Sequence, residues 1–227
     1  AFFEAQGHDG MRVLATLGRA AIDAGMLVIM DAKRNDIGST NAAYADAWIG
    51  HDAPCPSHAR TVNAFLGMDT LEPLLARADA TGAGLFVLTR TSNPGAGAIQ
   101  DLDVDGKPLF HRLAEQLAPL AAARCDSNGG SALGIVAGAT WPEDAKALRA
   151  ILPSSPFLVP GFGAQGAGPA DALAGLQRTD AGWDGGLINS TRGLIFPKAA
   201  ASATSTASWR QAIDDAVEDS RTALASV

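Results

Sequence analysis

Four charged side chains follow directly after an apolar run near the start of the chain. The run Leu27–Met30 leads into Asp31, Lys33, Arg34 and Asp36. If the run is a β-strand, the alternation of its side chains places Asp31 and Lys33 on the same side. A carboxylate beside an ammonium group favours the charged form of both, and a lysine can donate a proton whereas Arg34 cannot. The cluster therefore predicts acid–base chemistry at the end of a strand.

A purely structural interpretation of the same cluster is also open. Asp36 or Ser39 could cap the next helix, and Asp31 and Lys33 could form a solvated ion pair in a loop. For an isolated D-x-K-x-x-D pattern, the structural interpretation is the better one. Here the cluster follows a buried strand, and polar or Gly-rich segments follow the later strands as well. This repetition favours a functional site.

Short apolar runs alternate with segments of helical pattern along the whole chain. The predicted strands are Leu27–Met30, Thr61–Ala64, Gly84–Thr89, Ala132–Ala137, Phe157–Pro160 and Gly185–Asn189. The predicted helices are Met11–Ala24, Ser39–Gly50, Met68–Ala80, Pro108–Arg124, Trp141–Ile151, Gly166–Leu176 and Ser208–Ala225, with a loop at Ala199–Ala207. An alternation of this kind predicts a parallel sheet covered by helices.

The polar segments fall at the carboxyl ends of the predicted strands. They read DAKRND, NAFLG, TRTSNPG, GAT, PGFGAQG and NSTRG. A (β/α)8 barrel builds its active site from such loops, and an open doubly wound sheet also binds ligands at this end, so position alone does not choose between them. The predicted strands are two short of a barrel, and the chain begins with Ala1 rather than Met. We therefore expect residues 1–227 to form a single (β/α)8 TIM-barrel domain whose first two strands lie upstream of residue 1.

The composition limits the possible partners. The formal charge of −7 argues against binding to nucleic acid or to an anionic membrane, and no apolar run approaches the ~18 residues of a membrane span. Neither the two cysteines, Cys55 and Cys125, nor the four histidines show a metal-ligand spacing. With no signal-like segment, we expect a cytoplasmic protein without a metal site.

Five motifs resemble the orotidine 5′-monophosphate decarboxylase family. They are AFFEAQG (Ala1–Gly7), DAKRNDIGST (Asp31–Thr40), TSNPG (Thr91–Gly95), VPGFGAQG (Val159–Gly166) and NSTRG (Asn189–Gly193). The D-x-K-x-x-D pattern alone is shared with sibling barrels, whereas the five motifs in this order are specific. The resemblance covers essentially the whole chain.

The resemblance implies a cofactor-free (β/α)8 barrel that works as a homodimer with active sites at the subunit interface. Enzymes of the family remove CO2 from orotidine 5′-monophosphate to give UMP, the last step of pyrimidine synthesis. In this chain, the resemblance implies that Asp31 lies near the substrate carboxylate and that Lys33 protonates C6. Asp36, Ile37 and Thr40 would reach into the neighbouring subunit's site, where Asp36 completes an alternating charge array. A fixed ammonium in a dry pocket would stabilise the C6 carbanion.

Later motifs are suited to an anionic nucleotide. GFGAQG, which contains Gly163, ends a predicted strand and opens a predicted helix, so its backbone N–H groups and the helix dipole favour a phosphate. Arg192 can clamp the same phosphate with two hydrogen bonds, and barrels often bind phosphate after their last two strands. The resemblance implies that Gln165 bridges phosphate and pyrimidine and that Ser92 hydrogen-bonds the pyrimidine amide. Asn63, near the end of the second predicted strand, is a further pocket candidate.

Two family residues have no counterpart in this sequence, and two other functions stay open. The family's second lysine and its ribose-binding aspartate would both precede Ala1. A sibling barrel could act on a sugar phosphate with Mg²⁺, as 3-hexulose-6-phosphate synthase and 3-keto-gulonate-6-phosphate decarboxylase do. The chain could also be a non-catalytic nucleotide-phosphate-binding paralogue. The TSNPG motif and Gln165 favour the pyrimidine branch, and Asp31 with Lys33 favours a catalyst.

Overall fold

A computed structural model describes all residues from 1 to 227. The chain divides into two compact units. Unit 1 consists of Ala1–Leu88 and Leu120–Ile135, and unit 2 consists of Thr89–Pro119 and Val136–Val227. No helix of the chain has both the length and the apolar character needed to cross a membrane.

Strands alternate with helices through both units, and all but the hairpin strands β4, β5, β8 and β9 belong to one sheet. The strands are β1 (Ile29–Met30), β2 (Ala59–Val62), β3 (Gly84–Arg90), β4 (Asp103–Val104), β5 (Lys107–Pro108), β6 (Leu133–Ala137), β7 (Phe157–Pro160), β8 (Gln177–Thr179), β9 (Gly182–Asp184) and β10 (Gly186–Asn189). The helices are α1 (Gly7–Asp23), α2 (Gly38–Trp48), α3 (Glu72–Thr81), α4 (Gly97–Gln100), α5 (Leu109–Ala122), α6 (Pro142–Ile151), α7 (Pro169–Leu173), α8 (Thr191–Ile195), α9 (Lys198–Ala201) and α10 (Thr206–Ala225). The main strands neighbour one another in the order β1-β2-β3-β6-β7-β10, which confirms the predicted α/β class.

Unit 1 places the charged cluster at the carboxyl end of its first strand. β1 pairs in parallel with β2, with Met30 opposite Arg60, and β2 pairs in parallel with β3. Below this end, Met30 packs with the buried residues Trp48 and Cys55, and helix α1 contributes Met11 to the same core. Burial of this apolar side chain just before Asp31 fixes where the strand ends.

Unit 2 brings two of the predicted phosphate motifs to one edge. β7 pairs in parallel with β10, and the register runs from Phe157 opposite Gly186 to Pro160 opposite Asn189. Because parallel strands end on the same side, the segments that follow Pro160 and Asn189 start side by side. Phe157 is fully buried, and its ring lies 3.8 Å from the guanidinium carbon of Arg149.

The predicted boundary of the second strand was wrong because a charged residue is buried there. The prediction began at Thr61, but β2 begins at Ala59 and includes Arg60. The Arg60 side chain is fully buried, and its guanidinium donates to the backbone carbonyls of Tyr44 at 2.8 Å and Arg34 at 3.0 Å. Two carbonyls accept hydrogen bonds from this buried cation, although its Nε has no hydrogen-bond partner. Sequence pattern alone assigned the residue to a loop.

Two other predicted segments also differ from the structure. The helix predicted at Gly166–Leu176 is shorter, since α7 begins at Pro169, where Gly168 N–H donates to the Asp171 carboxylate at 2.9 Å. The predicted loop Ala199–Ala207 is partly helical. The alanines after Pro197 form α9, and Ser205 caps α10 by accepting a hydrogen bond from Ser208 N–H at 3.1 Å.

Candidate active site

The lysine and aspartate after β1 form an ion pair that a buried threonine holds in place. Lys33 Nζ contacts Asp31 Oδ1 directly. The Thr61 hydroxyl donates to the same Asp31 oxygen at 2.8 Å and accepts a hydrogen bond from Lys33 N–H at 3.0 Å. Thr61 is fully buried in β2. One side chain therefore ties both the carboxylate and the backbone of the lysine to the sheet.

Lys33 has a backbone conformation that few residues other than glycine adopt. Its φ is +52°, in the left-handed region, where a non-glycine residue costs about 1–3 kcal/mol. β1 ends at Met30, so Asp31 and Lys33 do not share a strand face as the alternation argument assumed. The two side chains meet because the chain turns after the strand. Such strain persists where the surrounding contacts fix it, and here the Thr61 hydrogen bonds do so.

The charge pair is partly open to solvent. The Lys33 side chain is 48% exposed and the Asp31 side chain 52% exposed. The dry pocket expected around these charges is therefore not formed by the contacts within unit 1. An ammonium group that is paired with a hydrogen-bonded carboxylate can still donate a proton to a bound anion.

Arg60 supports the charged segment from below. Burial, and then the nearby charge of Arg34, lower the pKa of Arg60 to about 10, so the guanidinium is still protonated at neutral pH. Its hydrogen bond to the Arg34 carbonyl fixes the backbone immediately after Lys33. The Arg34 side chain, in turn, makes an ion pair with Glu4. The segment is thus fixed by contacts from β2 and from the start of the chain.

A network of amides holds the second half of the same segment. The buried Asn41 donates to Asn35 Oδ1 at 2.6 Å and accepts from Asp36 N–H at 3.3 Å. Asn35 also donates to the Thr70 hydroxyl at 3.0 Å. The Asp36 carboxylate accepts from Ile37 N–H at 2.7 Å and does not cap helix α2, whose N-cap is Ile37.

Of the three residues predicted to reach a neighbouring subunit, two are exposed and Asp36 is partly buried. Ile37 is 62% exposed, and Thr40, in the first turn of α2, is also exposed. Asn63 lies after β2, where its side-chain oxygen accepts a hydrogen bond from Phe65 N–H at 2.9 Å. This local turn satisfies one acceptor of Asn63, and its role as a pocket residue stays a prediction.

In unit 2, Ser92 and Gln165 lie on two sides of Gly161. A methyl group at Gly161 would lie 3.3 Å from Ser92 Cβ and 3.7 Å from Gln165 Oε1. Gly138 allows an equally close approach, since a methyl group there would lie 2.8 Å from the Ser92 backbone nitrogen. The Ser92 carbonyl accepts a hydrogen bond from the Thr140 hydroxyl at 3.2 Å. Two of the predicted ligand-binding side chains are therefore neighbours, packed against glycines.

The GFGAQG segment is a self-contained turn rather than the start of a helix. Gly163 N–H donates to the Ala167 carbonyl at 3.0 Å, and Gly166 N–H donates to the Gly163 carbonyl at 2.9 Å. The expectation that this segment opens a helix was wrong, and the turn itself uses the Gly163 N–H. Arg192, in the first turn of α8, donates to the Ala164 carbonyl at 3.4 Å and is exposed. The arginine thus lies beside the turn, as both motifs require.

Sequence reasoning missed the buried residues that hold the charged segment. Thr61, Arg60 and Asn41 each contact the backbone or side chains between Asp31 and Asp36. A signal for two of them was present, because Arg60 and Thr61 are polar residues within an otherwise apolar strand. The roles assigned to the site residues themselves stay predictions.

Comparison with known proteins identifies the family. The family model described as orotidine 5′-phosphate decarboxylase / HUMPS matches residues 1–205. The chain belongs to this family. The predicted fold of the TIM-barrel type is thereby confirmed, together with the resemblance on which it rested.

Individual members of the orotidine 5′-phosphate decarboxylase family are similar in sequence to most of this chain. The enzyme of that name from Rhodopirellula baltica is 46% identical over 200 residues, which are 86% of this chain and 65% of the relative. The Halorubrum lacusprofundi enzyme is also 46% identical, over 86% of this chain and 66% of its own length. The structure of Leishmania donovani OMP decarboxylase has a TM-score of 0.74 and 34% identity, and covers 98% of this chain and 78% of that chain. The chain thus spans about two thirds of the length of these two curated relatives.

Proposed function

We propose that the protein to which this chain belongs removes CO2 from orotidine 5′-monophosphate to give UMP, in pyrimidine biosynthesis and without a cofactor. The observation that carries the proposal is the Asp31–Lys33–Thr61 arrangement. The Lys33 ammonium group contacts the Asp31 carboxylate, and the buried Thr61 hydroxyl bonds both that carboxylate and the Lys33 backbone N–H. Membership of the decarboxylase family supports the same conclusion.

In the proposed reaction, the bond between C6 and the carboxylate carbon breaks and CO2 leaves. The bonding electron pair stays on C6, and Lys33 Nζ donates a proton to that carbon to give UMP. The lysine then recovers a proton from solvent, so one proton is consumed for each CO2 released. A positive charge fixed beside a carbon that becomes negative lowers the barrier most where water is excluded. Because Asp31 and Lys33 are half exposed, the bound substrate and the partner subunit would have to cover them.

Residues of unit 2 supply the proposed grip on the nucleotide. Arg192 is exposed and so is free to turn towards a phosphate, to which guanidinium binds with two hydrogen bonds. Gly163 adds a backbone with φ of +73° and open space around it, which allows a close approach by an anion. Gln165 and Ser92 would bind the pyrimidine, and Asn63 stays a predicted pocket residue.

We also propose a cytoplasmic homodimer with shared active sites. Asp36, Ile37 and Thr40 would complete the site of the other subunit, and the exposure of Ile37 and Thr40 supports this. A net charge of −7 supports a small-molecule substrate rather than a nucleic acid.

The test is an ultraviolet assay of orotidine 5′-monophosphate loss by the purified full-length protein, with UMP identified by chromatography. The reaction is run in EDTA and again after excess Mg²⁺ is added back. We expect the same rate in both. A strict need for Mg²⁺, with activity on a hexulose phosphate instead, would indicate the sugar-phosphate function. Binding of UMP without any loss of orotidine 5′-monophosphate would indicate the non-catalytic paralogue.

A further inference from the structure

A buried arginine lies two residues before Ser92 in unit 2. Arg90 is the last residue of β3, and only 3% of its side chain is exposed. Its guanidinium carbon lies 4.2 Å from the centre of the Trp141 ring and 4.9 Å from that of Phe110. The two aromatic rings and the burial restrict the orientation of this cation. No step of the proposed reaction uses it.

Arg90 contacts two carboxylates that come from different segments. Its Nε donates to Asp144 of α6 at 2.8 Å. Its Nη1 lies 2.8 Å from Asp101 Oδ1 in an ion pair, and its Nη2 makes a long hydrogen bond to Asp101 Oδ2 at 3.4 Å. Asp101 directly follows α4, so this ion pair joins the two ends of the segment 91–101.

Further hydrogen bonds draw the same two ends together. Gln100 Oε1 accepts from Thr91 N–H at 3.0 Å, and Gln100 Nε2 donates to the Thr91 hydroxyl at 2.8 Å. The indole N–H of Trp141 donates to the Thr91 carbonyl at 3.0 Å. The Trp141 that stacks on Arg90 therefore also fixes the residue next to Ser92. Closing a loop at its base removes much of the conformational freedom of the residues within it.

We propose that Arg90 is a positioning residue that closes the segment 91–101 and so holds Ser92 in place for the pyrimidine. The inference rests on the proposed function, because Ser92 takes part only if the substrate is a pyrimidine nucleotide. A buried ion pair that served stability alone would not need a partner at the far end of the loop. Asp144 is the structural partner, and Asp101 is the partner that closes the loop.

The test compares four single variants of the full-length protein: Arg90→Met, Asp101→Asn, Asp144→Asn and Ser92→Ala. It adds the two double variants that combine Ser92→Ala with Arg90→Met or with Asp101→Asn. We expect Arg90→Met, Asp101→Asn and Ser92→Ala each to lower kcat/KM by roughly tenfold or more. The kcat/KM of each double variant should lie within about threefold of that of its less active single variant. Effects of residues that act through one another are not additive. Multiplication of the two effects, or unchanged kcat/KM in Asp101→Asn, would overturn the proposal.

Hydrogen exchange at the amides of residues 91–101 gives a readout that does not depend on activity. Exchange there should be at least about tenfold faster in Asp101→Asn than in the parent, while Asp144→Asn leaves it close to the parent's. If Arg90→Met does not fold, the Asp101→Asn series decides alone. A parent that fails to decarboxylate would defeat the proposed function, and exchange would then decide this inference. Equal exchange in parent and Asp101→Asn would overturn it.

Discussion

At the scale of single residues, the charge pair depends on one hydroxyl. Thr61 donates to Asp31 and accepts from the Lys33 backbone, so it fixes both members of the pair. Because Lys33 has a strained left-handed backbone, the loss of this anchor would release the segment. The ammonium group would then lose its fixed position.

Replacement of Thr61 by valine keeps the shape and removes the hydroxyl. We expect Thr61→Val to lower the free energy of unfolding by about 1–3 kcal/mol, since a partly buried N–H loses its acceptor. We expect kcat to fall roughly 10- to 100-fold with little change in KM, because the phosphate contacts remain. Urea unfolding and steady-state kinetics measure both, with Thr61→Ser as the control that retains the hydroxyl. A Thr61→Val protein with the parent's kcat would show that the hydroxyl does not aim Lys33.

At the level of secondary-structure elements, a strand end and a turn hold the side chains that we propose bind the nucleotide. Gly161 follows β7 with φ of +106°, between Ser92 and Gln165. Gly182, in the β8–β9 hairpin, has a similar φ of +121° but no atom within 4 Å of an added methyl group. An alanine at either glycine would strain the backbone, but only an alanine at Gly161 would also crowd its neighbours.

Alanine at these two positions tests the arrangement. Both Gly161→Ala and Gly182→Ala should lower the free energy of unfolding by about 1–3 kcal/mol, because both force alanine into a glycine conformation. Only Gly161→Ala crowds Ser92, with Gln165 in ordinary contact, so only this variant should raise KM for orotidine 5′-monophosphate, by about tenfold or more. Thermal unfolding and initial rates are the measurements. Equal KM values for the two variants would show that Gly161 does not contribute to the binding site.

The elements also show where sequence patterns suffice. Apolar runs located every main strand, and β7 matches its prediction at Phe157–Pro160 because both ends are marked by proline or glycine. The predicted start of β2 was wrong because Arg60 is charged. Residue type alone does not show that backbone carbonyls accept hydrogen bonds from its buried guanidinium. The β4–β5 and β8–β9 hairpins and the short helices α4, α8 and α9 were missed. They are two to five residues long, too short to show a period.

The site was predictable in its charges and less so in its geometry. The sequence placed Asp31 and Lys33 together, but it did so through a strand face that does not exist after Met30. The left-handed φ of Lys33 has no signal in its own residue type, and the hydrogen bond that accompanies it comes from Thr61, 28 residues away. Likewise, the internal hydrogen bonds of the GFGAQG turn depend on the residues that follow it.

At the scale of the whole molecule, the proposed dimer makes each site depend on two chains. Lys33 would act in its own site, and Asp36 would act in the site of the other subunit. Two inactive variants that fail at different residues should therefore complement each other. Half of randomly formed dimers would be mixed, and one of their two sites would carry both native residues.

Co-expression of Lys33→Ala with Asp36→Ala tests this sharing. Each variant alone should be nearly inactive, and the mixture should reach up to about a quarter of the parent activity per site. Size-exclusion chromatography with light scattering confirms that both variants remain dimers. A mixture no more active than the sum of its parts would indicate that Asp36 serves its own chain.

The proposed reaction requires the Lys33 ammonium group as the proton donor to C6. The most direct measurement is kcat/KM for orotidine 5′-monophosphate in full-length Lys33→Ala, beside Lys146→Ala, which removes an exposed lysine that is also paired with a neighbouring carboxylate. Loss of a general acid and of its fixed charge predicts a decrease of at least about 10³-fold for Lys33→Ala and no more than about twofold for Lys146→Ala. A folded Lys33→Ala protein within tenfold of the parent would contradict the account.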